Sequence, residues 1–337
     1  MKRASIVVAL IPLLIAAWPL SVHADRGKMS GGEVYHLPDW FKPSFLDFRE
    51  DMAEAKQRGR HVMAFLHLDE CPYCVKMLKE NFQGGDRTEF IRKHFDVIGI
   101  NIRGGREVAW IDGATYAERA LAAHLKVYTV PTIVFLDPDD GKVLRLDGYR
   151  DTRAFGHALE YVQTKRYRQE SLGAYLETKR GPEVYVLRDH PRFAKTVNVE
   201  GYKKPLAVLF EDKGCAECAR FHDKVLNHPD VLPEMAKYLF VRLDADSTEP
   251  LVDVAVNTTS PKQWAKSLGL TYRPGVVLFN EGKEIARIDG RLYHFHFRET
   301  LRYVSGEYYK RFGSISQYNA ARREELLQQG MNIDYSE

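Results

Sequence analysis

Two stretches decide the fold: His61-Val-Met-Ala-Phe-Leu-His-Leu-Asp-Glu-Cys71-Pro-Tyr-Cys74 and Leu206-Ala-Val-Leu-Phe-Glu-Asp-Lys-Gly-Cys215-Ala-Glu-Cys218. In each, an apolar run of strand length and composition leads into a Cys-X-X-Cys pair. Beyond the pair the apolar residues switch to helical spacing, at Val75, Leu78 and Phe82 and again at Cys218, Phe221 and Val225. Each pair therefore stands where a strand hands over to a helix.

Working outward, the two stretches head two copies of one pattern. A second strand follows in each, Val97 to Ile102 and Tyr238 to Leu243, and then a polar insertion ending in Leu121-Ala-Ala-His-Leu125 or Trp264-Ala-Lys-Ser-Leu268. Both copies next reach a proline at the head of a strand, in Val130-Pro131-Thr-Ile-Val-Phe-Leu136 and Arg273-Pro274-Gly-Val-Val-Leu-Phe279. A proline is tolerated there because the missing N–H costs little at a strand start. A fourth strand closes each unit on Asp-Gly, at Gly148 and Gly290. The first cysteine precedes the proline by 60 residues in one copy and 59 in the other. This order predicts an α/β fold in which a mixed central sheet is flanked by helices, twice over. Long closing helices are expected over Thr152 to Thr178 and Phe297 to Phe312. An amphipathic helix is expected over Ser44 to Arg58, with Phe45, Phe48, Met52 and Ala55 on one face and no counterpart in the second copy. The units are placed at residues 40–178 and 205–312. A linker over 179–204, rich in Gly and Pro, joins them, and a charged helical tail occupies 313–337.

The 337 residues suffice for two ordinary domains, and 45% hydrophobic with 28% charged residues fits a globular chain. With 49 basic against 46 acidic residues, neither nucleic acid nor a polybasic membrane contact is indicated. Lys2 and Arg3, the apolar run Ile6 to Leu20 and Val22-His23-Ala24 before Asp25 read as an export signal over residues 1–24. The expected location is therefore periplasmic. An uncleaved N-terminal anchor with periplasmic domains is the alternative, disfavoured by Pro12 and Pro19. All four cysteines lie in the two pairs, and each closes a loop too short to brace a fold. Redox chemistry accounts for that spacing better than structural bracing.

A strand, a Cys-X-X-Cys opening a helix and a distant proline before a strand together resemble the thioredoxin superfamily. The likeness covers residues 40–178 and 183–312 and implies two tandem thioredoxin-like domains. It further implies that Pro131 and Pro274 are cis-prolines packed beside the sulfurs. The first domain is similar to periplasmic thioredoxins of bacterial sulfur-oxidation systems (SoxW-type), in Cys71-Pro-Tyr-Cys74, His94-Phe95, Asn101-Ile102, Arg106-Glu107-Val108 and Val130-Pro131-Thr132. One departure stands out. The acid that thioredoxins bury six residues before the first cysteine is replaced by Phe65 and Leu209. Asp69, Glu70, Glu211 and Asp212 lie nearer the pairs, and each reads first as a solvated loop charge.

Disulfide exchange needs a thiolate that attacks a target sulfur and a second thiol that resolves the mixed disulfide. A helix start stabilises negative charge on the first cysteine, so Cys71 and Cys215 are the expected nucleophiles and Cys74 and Cys218 the resolving thiols. Pro72 and Tyr73 add no charge to the first site. The same Cys-Pro-Tyr-Cys occurs in glutaredoxins, whose potentials lie at about −200 to −230 mV. In the second site Glu217 disfavours a thiolate, and Arg273 is the expected counter-charge. Val130-Pro131 and Arg273-Pro274 are the expected contacts for a partner chain, which would add as a short strand.

No nicotinamide or flavin motif is present, so no cofactor is expected. The expected partners are protein thiols and disulfides, with a membrane thiol reductant as electron donor. The leading reading is a reductase of exported protein thiols, with clients in sulfur oxidation or cytochrome maturation. A disulfide oxidase or isomerase is one alternative. The other is a redox-sensing protein whose second domain is a binding module. A single zinc site built from all four cysteines, or a metal pair His294 and His296 on a strand edge, fits less well, and no metal is expected.

Overall fold

The computed structural model describes residues 25–32, 34–179, 182–195 and 199–335. The export signal expected over residues 1–24 lies outside them. The first domain runs α1 (Phe48–Gln57), β1 (His61–His67), α2 (Pro72–Asn81), α3 (Gly85–His94), β2 (Phe95–Asn101), α4 (Glu118–His124), β3 (Thr132–Asp137), β4 (Gly141–Asp147), α5 (Thr152–Gln163) and α6 (Leu172–Thr178). The second runs β5 (Leu206–Glu211), α7 (Cys218–Phe221), α8 (Leu232–Met235), β6 (Leu239–Asp244), α9 (Pro261–Ser267), β7 (Gly275–Asn280), β8 (Lys283–Ile288), α10 (His294–Ser305) and α11 (Ile315–Gln328).

Each domain holds a four-stranded mixed sheet, in the orders β2-β1-β3-β4 and β6-β5-β7-β8. The first two strands of each order are parallel and the other pairings antiparallel. Phe65 pairs with Ile133 and Leu209 with Val276. Each partner set lies six residues before the first cysteine and two after the proline, so the duplication holds residue for residue. Even the bulge recurs, between Phe135 and Leu136 and between Leu278 and Phe279.

The central strands are buried on both faces, as a sheet covered by helices on each side requires. On β1 the odd positions Met63 and Phe65 join Phe82 and Phe155, while Val62, Ala64 and Leu66 join Phe48 and Leu121. On β5, Ala207 and Leu209 face Phe297 and Leu301, whereas Val208 and Phe210 face Trp264. The period of two along a strand separates the layers.

Several details differ from the sequence expectations. The first closing helix breaks after Gln163, where Lys165 takes φ 54° before a 3₁₀ turn at Arg166–Arg168. The second breaks in the same way at Glu307, φ 55°, before Tyr308–Lys310. It also starts at His294, so His294 and His296 lie on its first turn and not on a strand. α1 starts only at Phe48, because Asp47 caps it by accepting from the amides of Arg49 and Glu50, and Phe45 is left fully exposed. In the linker region, Phe193 pairs with Phe240 and the Ala194 amide donates to the Phe240 carbonyl at 2.7 Å, which adds that segment to the second sheet. The tail helix α11 packs Tyr318 into the second core. Its Leu326 and Leu327 meet Phe295, Ile333 and Tyr335.

The two units meet through their Asp-Gly ends. Tyr149 bridges Arg291 in antiparallel fashion, and the Arg291 guanidinium lies over the Tyr149 ring at 4.5 Å. Arg150 reaches Asp289 at 3.3 Å. The approach at Gly290 is so close that a Cβ there would lie 2.7 Å from Arg150 Nη1 and 3.1 Å from the Asp147 carbonyl.

Candidate redox sites

In the first site Cys71 is the N-cap of α2, its Sγ accepting from the Cys74 amide at 3.1 Å, and Pro72 fills the first helical position. Proline suits that position because its fixed φ matches the helix and no N–H is needed. Cys71 and Cys74 form a disulfide. Val130-Pro131 is cis, and the Val130 carbonyl lies 4.0 Å from Cys71 Sγ. The structure thus brings Cys71, Cys74, Pro72, Val130 and Pro131 together.

Tyr73 is where the arrangement departs from an open site. The second domain covers it. Tyr73 is only 6% exposed and stacks on Tyr293 with ring centroids 4.5 Å apart. The Tyr293 amide donates to Tyr73 Oη at 3.0 Å, and Oη in turn lies 3.0 Å from His296 Nδ1. The Tyr73 hydroxyl has one proton and two lone pairs, so it accepts from the Tyr293 amide and also bonds the His296 ring. Burial pushes His296 down to about 4 and raises the Tyr73 hydroxyl far above the usual tyrosine range, so both groups are neutral at pH 7.

The second site is built differently. Cys215 lies in a turn, its amide donating to the Asp212 carbonyl at 3.1 Å, and helix α7 begins only at Cys218. It continues as a π-helical turn over His222–Leu226. The Cys215–Cys218 disulfide forms, and Arg273-Pro274 is cis. Cys215, Tyr272 and Arg273 line one cleft. The expected pairing of Arg273 with Glu217 is not made: Arg273 reaches Asp212 at 3.4 Å. Glu217 is held by Arg291 at 2.5 Å and Arg220 at 3.4 Å. A single segment, Arg291 to Tyr293, therefore touches the middle residue of both motifs.

Four residues before each first cysteine stands a buried polar group that sequence reasoning undervalued. Glu211 is fully buried, 3.0 Å from His222 Nε2, and accepts from Tyr185 Oη at 3.3 Å. Tyr185 packs on Cys215 and Cys218, and burial first, then Glu211, pushes its hydroxyl up to about 12. In the first domain His67 holds the equivalent place, with Tyr35 Oη 2.9 Å from its Nδ1. Burial lowers His67 below the ordinary histidine value. Both positions share a sheet face with Phe65 and Leu209, two residues earlier, so the polar group has moved by one pleat. The signal was the charge at the end of an otherwise apolar strand, Leu-Ala-Val-Leu-Phe-Glu211. By contrast Asp69 and Glu70 are exposed.

The two histidines considered as a metal pair point to different partners. His296 serves Tyr73, while His294 stacks on His228 at 3.8 Å. His228, Asp230 and His294 place ligand atoms within 4.8 Å of one another. Rings lying flat on each other aim their lone pairs side by side, and Asp230 is engaged by Arg298 at 3.2 Å. The group is a poor metal cradle as it stands.

No curated protein sequence matches the chain. Among solved structures, a thioredoxin-fold protein from Helicobacter pylori is similar at 22% identity, covering 36% of this chain and 80% of that one, with a TM-score of 0.32. A thioredoxin from Thermus thermophilus shows 29% identity over 35% of this chain and 85% of its own, with a TM-score of 0.28. The C-terminal domain of DsbD from Neisseria meningitidis, in its reduced form, shows 21% identity over 30% and 82%, with a TM-score of 0.24. The family described as thioredoxin-like domain matches residues 48–163 and 193–305. Each segment contains one sulfur pair, one cis-proline and one four-stranded sheet, and on that ground the chain belongs to the thioredoxin-like domain family, in two copies.

Proposed function

We propose that the protein is a periplasmic thiol–disulfide oxidoreductase that reduces disulfides of exported proteins. The observation that carries this reading is the repeated constellation of a Cys-X-X-Cys pair at a strand-to-helix junction beside a cis-proline. Cys71 and Cys215 attack the client disulfide, and Cys74 and Cys218 resolve the mixed disulfide. The cap position of Cys71, with the Cys74 amide donating to its sulfur, favours a thiolate there. Val130-Pro131 and Arg273-Pro274 receive the client backbone. Electrons come from a membrane dithiol donor, and the SoxW-like phrases of the first domain point to clients in sulfur oxidation. Export by residues 1–24 supplies the compartment. Among the described residues no helix is long and apolar enough to cross a membrane.

The covering of Tyr73 by Tyr293 and His296 favours unequal sites, with the second pair the one that meets clients first. Insulin reduction by the pre-reduced protein tests the function: wild type is expected to precipitate insulin chains, and the double variant Cys71→Ser/Cys215→Ser is not. Equal turbidity from both rejects the reading. Acid-quenched alkylation in cells gives the direction, since a reductase keeps its pairs reduced.

A further inference from the structure

We propose that the mouth between the domains is a binding site for a small zwitterionic disulfide of the amino-acid type, reduced at Cys215, with the first domain supplying one wall. The proposal rests on the reductase reading above. A cleft of about 330 Å³ opens there. That volume lies at the low end of the roughly 300–1,000 Å³ typical of small-molecule sites. Cys215, Tyr272 and Arg273 line it from the second domain, and Arg153, His157 and Lys179 from the first. Walls from both domains give a hollow of small-molecule size beside Cys215.

Two orphaned polar atoms mark the site as built for a ligand. Tyr272 is 3% exposed, yet its Oη has no hydrogen-bond partner among the described residues, and His157 Nε2 is likewise buried without one. Leaving such an atom unpaired is costly, and nearly all buried polar groups find partners. Both residues line the same cleft as the nucleophile. Burial raises the Tyr272 hydroxyl and lowers His157, which keeps each neutral at pH 7. The lining carries charges of both signs. Arg153 suits a carboxylate, whereas the Lys179 ammonium is already held by Glu160 at 2.7 Å. Asp151 also lines the cleft, and its Oδ1 takes both cap bonds of α5, from the Arg153 and Ala154 amides, leaving Oδ2 for an ammonium group. A molecule with both charges matches this wall better than an anion or a cation alone. A larger hollow of about 400 Å³, near Glu177 and Gln263, contains no sulfur and fits no such chemistry.

In the reaction the Cys215 thiolate attacks one sulfur of the bound disulfide, forming a mixed disulfide and releasing the first amino-acid thiolate, which takes a proton from water. The Cys218 thiolate then attacks Cys215 Sγ. The Cys215–Cys218 disulfide forms, the second amino-acid thiol leaves, and two electrons have passed from the dithiol to the guest. A dithiol donor reduces the pair again.

The test is single-turnover oxidation of the pre-reduced full chain by L-cystine, cystamine, 3,3′-dithiodipropionate or insulin. Each pair is read separately by differential alkylation and peptide mass, and rates are normalised to each disulfide's reaction with dithiothreitol. Cystine is expected to oxidise Cys215–Cys218 with saturation and at least tenfold faster than the dication or the dianion, with no such preference at Cys71–Cys74. Tyr272→Phe is expected to raise the half-saturating cystine concentration about tenfold with the limiting rate and the Cys215–Cys218 potential unmoved. His157→Gln, on the far wall, repeats the test should Tyr272→Phe fail to fold. Equal normalised rates for the three small disulfides, or half-saturation unmoved in both variants, overturns the site. Insulin oxidising the pair without a cystine preference overturns it while leaving the reductase reading intact. If no disulfide oxidises the pair, both fall.

Discussion

Replacing Tyr73 by Phe tests the idea that the second domain is a cover over the first redox site. The ring and its stack on Tyr293 remain, while two hydrogen bonds are lost, one from the Tyr293 amide and one shared with His296 Nδ1, each 3.0 Å long. In the closed form neither bond can be made, whereas in a form with the domains parted water takes the place of Tyr73 Oη. Orphaning buried groups in this way costs about 1–3 kcal/mol. At about 1.36 kcal/mol per tenfold change, the parted form becomes roughly 5 to 150 times more populated. Cys71 is only 5% exposed, so a bulky alkylating reagent reaches its reduced thiol chiefly through that form. The assay is the rate of maleimide labelling of Cys71 in reduced, folded protein, scaled to the rate of the same thiol in urea-unfolded protein. Cys215 is itself only 4% exposed and lines a cleft between the domains, so it is no reference. The scaled Cys71 rate is expected to rise by the factor above, and a rate unchanged within twofold, in a variant shown to be folded, refutes the cover.

His296 gives the same contact a pH dependence. Its folded value near 4 lies below the ordinary 6.5, so between pH 6.5 and 4 the unfolded chain binds a proton that the folded one does not. Stability is therefore full above 6.5 and falls as pH drops toward 4, by roughly 3 kcal/mol at most. Urea midpoints at pH 7 and pH 4.5 are expected to differ more in wild type than in His296→Gln, and equal differences count against this. Glu211→Leu leaves His222 Nε2 and Tyr185 Oη facing an apolar side chain. A loss of about 2–4 kcal/mol is expected by urea unfolding, and a loss under 1 kcal/mol contradicts the buried pair. Gly290→Ala places a methyl against the Asp147 carbonyl and Arg150 and is expected to cost about 1–3 kcal/mol. Gly156→Ala, inside α5 with its nearest neighbour at 3.9 Å, is expected to gain up to about 1 kcal/mol. Thermal unfolding of the two variants, moving in opposite directions, checks the pair.

The sheets were legible because a strand covered on both faces must be largely apolar, and the runs at β1, β3, β5 and β7 are. The positions of the sulfurs and prolines followed from the junctions that those strands impose. The helix breaks at Lys165 and Glu307 were hidden, since neither residue advertises a left-handed backbone and the amphipathic spacing carries on through them. The polar groups His67 and Glu211 were hidden for another reason. A charge next to a loop reads as solvated, whereas here Tyr35 and Tyr185 bond these groups and His222 and Phe65 pack beside them.

Contacts between the domains were the least legible, because two edges meeting at Gly148 and Gly290 leave no period in the chain. Yet those contacts decide what the duplication is for. Two equal sites would need two equal approaches, and the join gives them different neighbours. Tyr73 turns inward to Tyr293 and His296, while Cys215 lines a cleft that the first domain helps to wall. The first domain then contributes to chemistry at the second site through Arg153 and His157 as well as through its own cysteines. If so, separating the domains should open Cys71 and weaken small-disulfide selection at Cys215 in the same step.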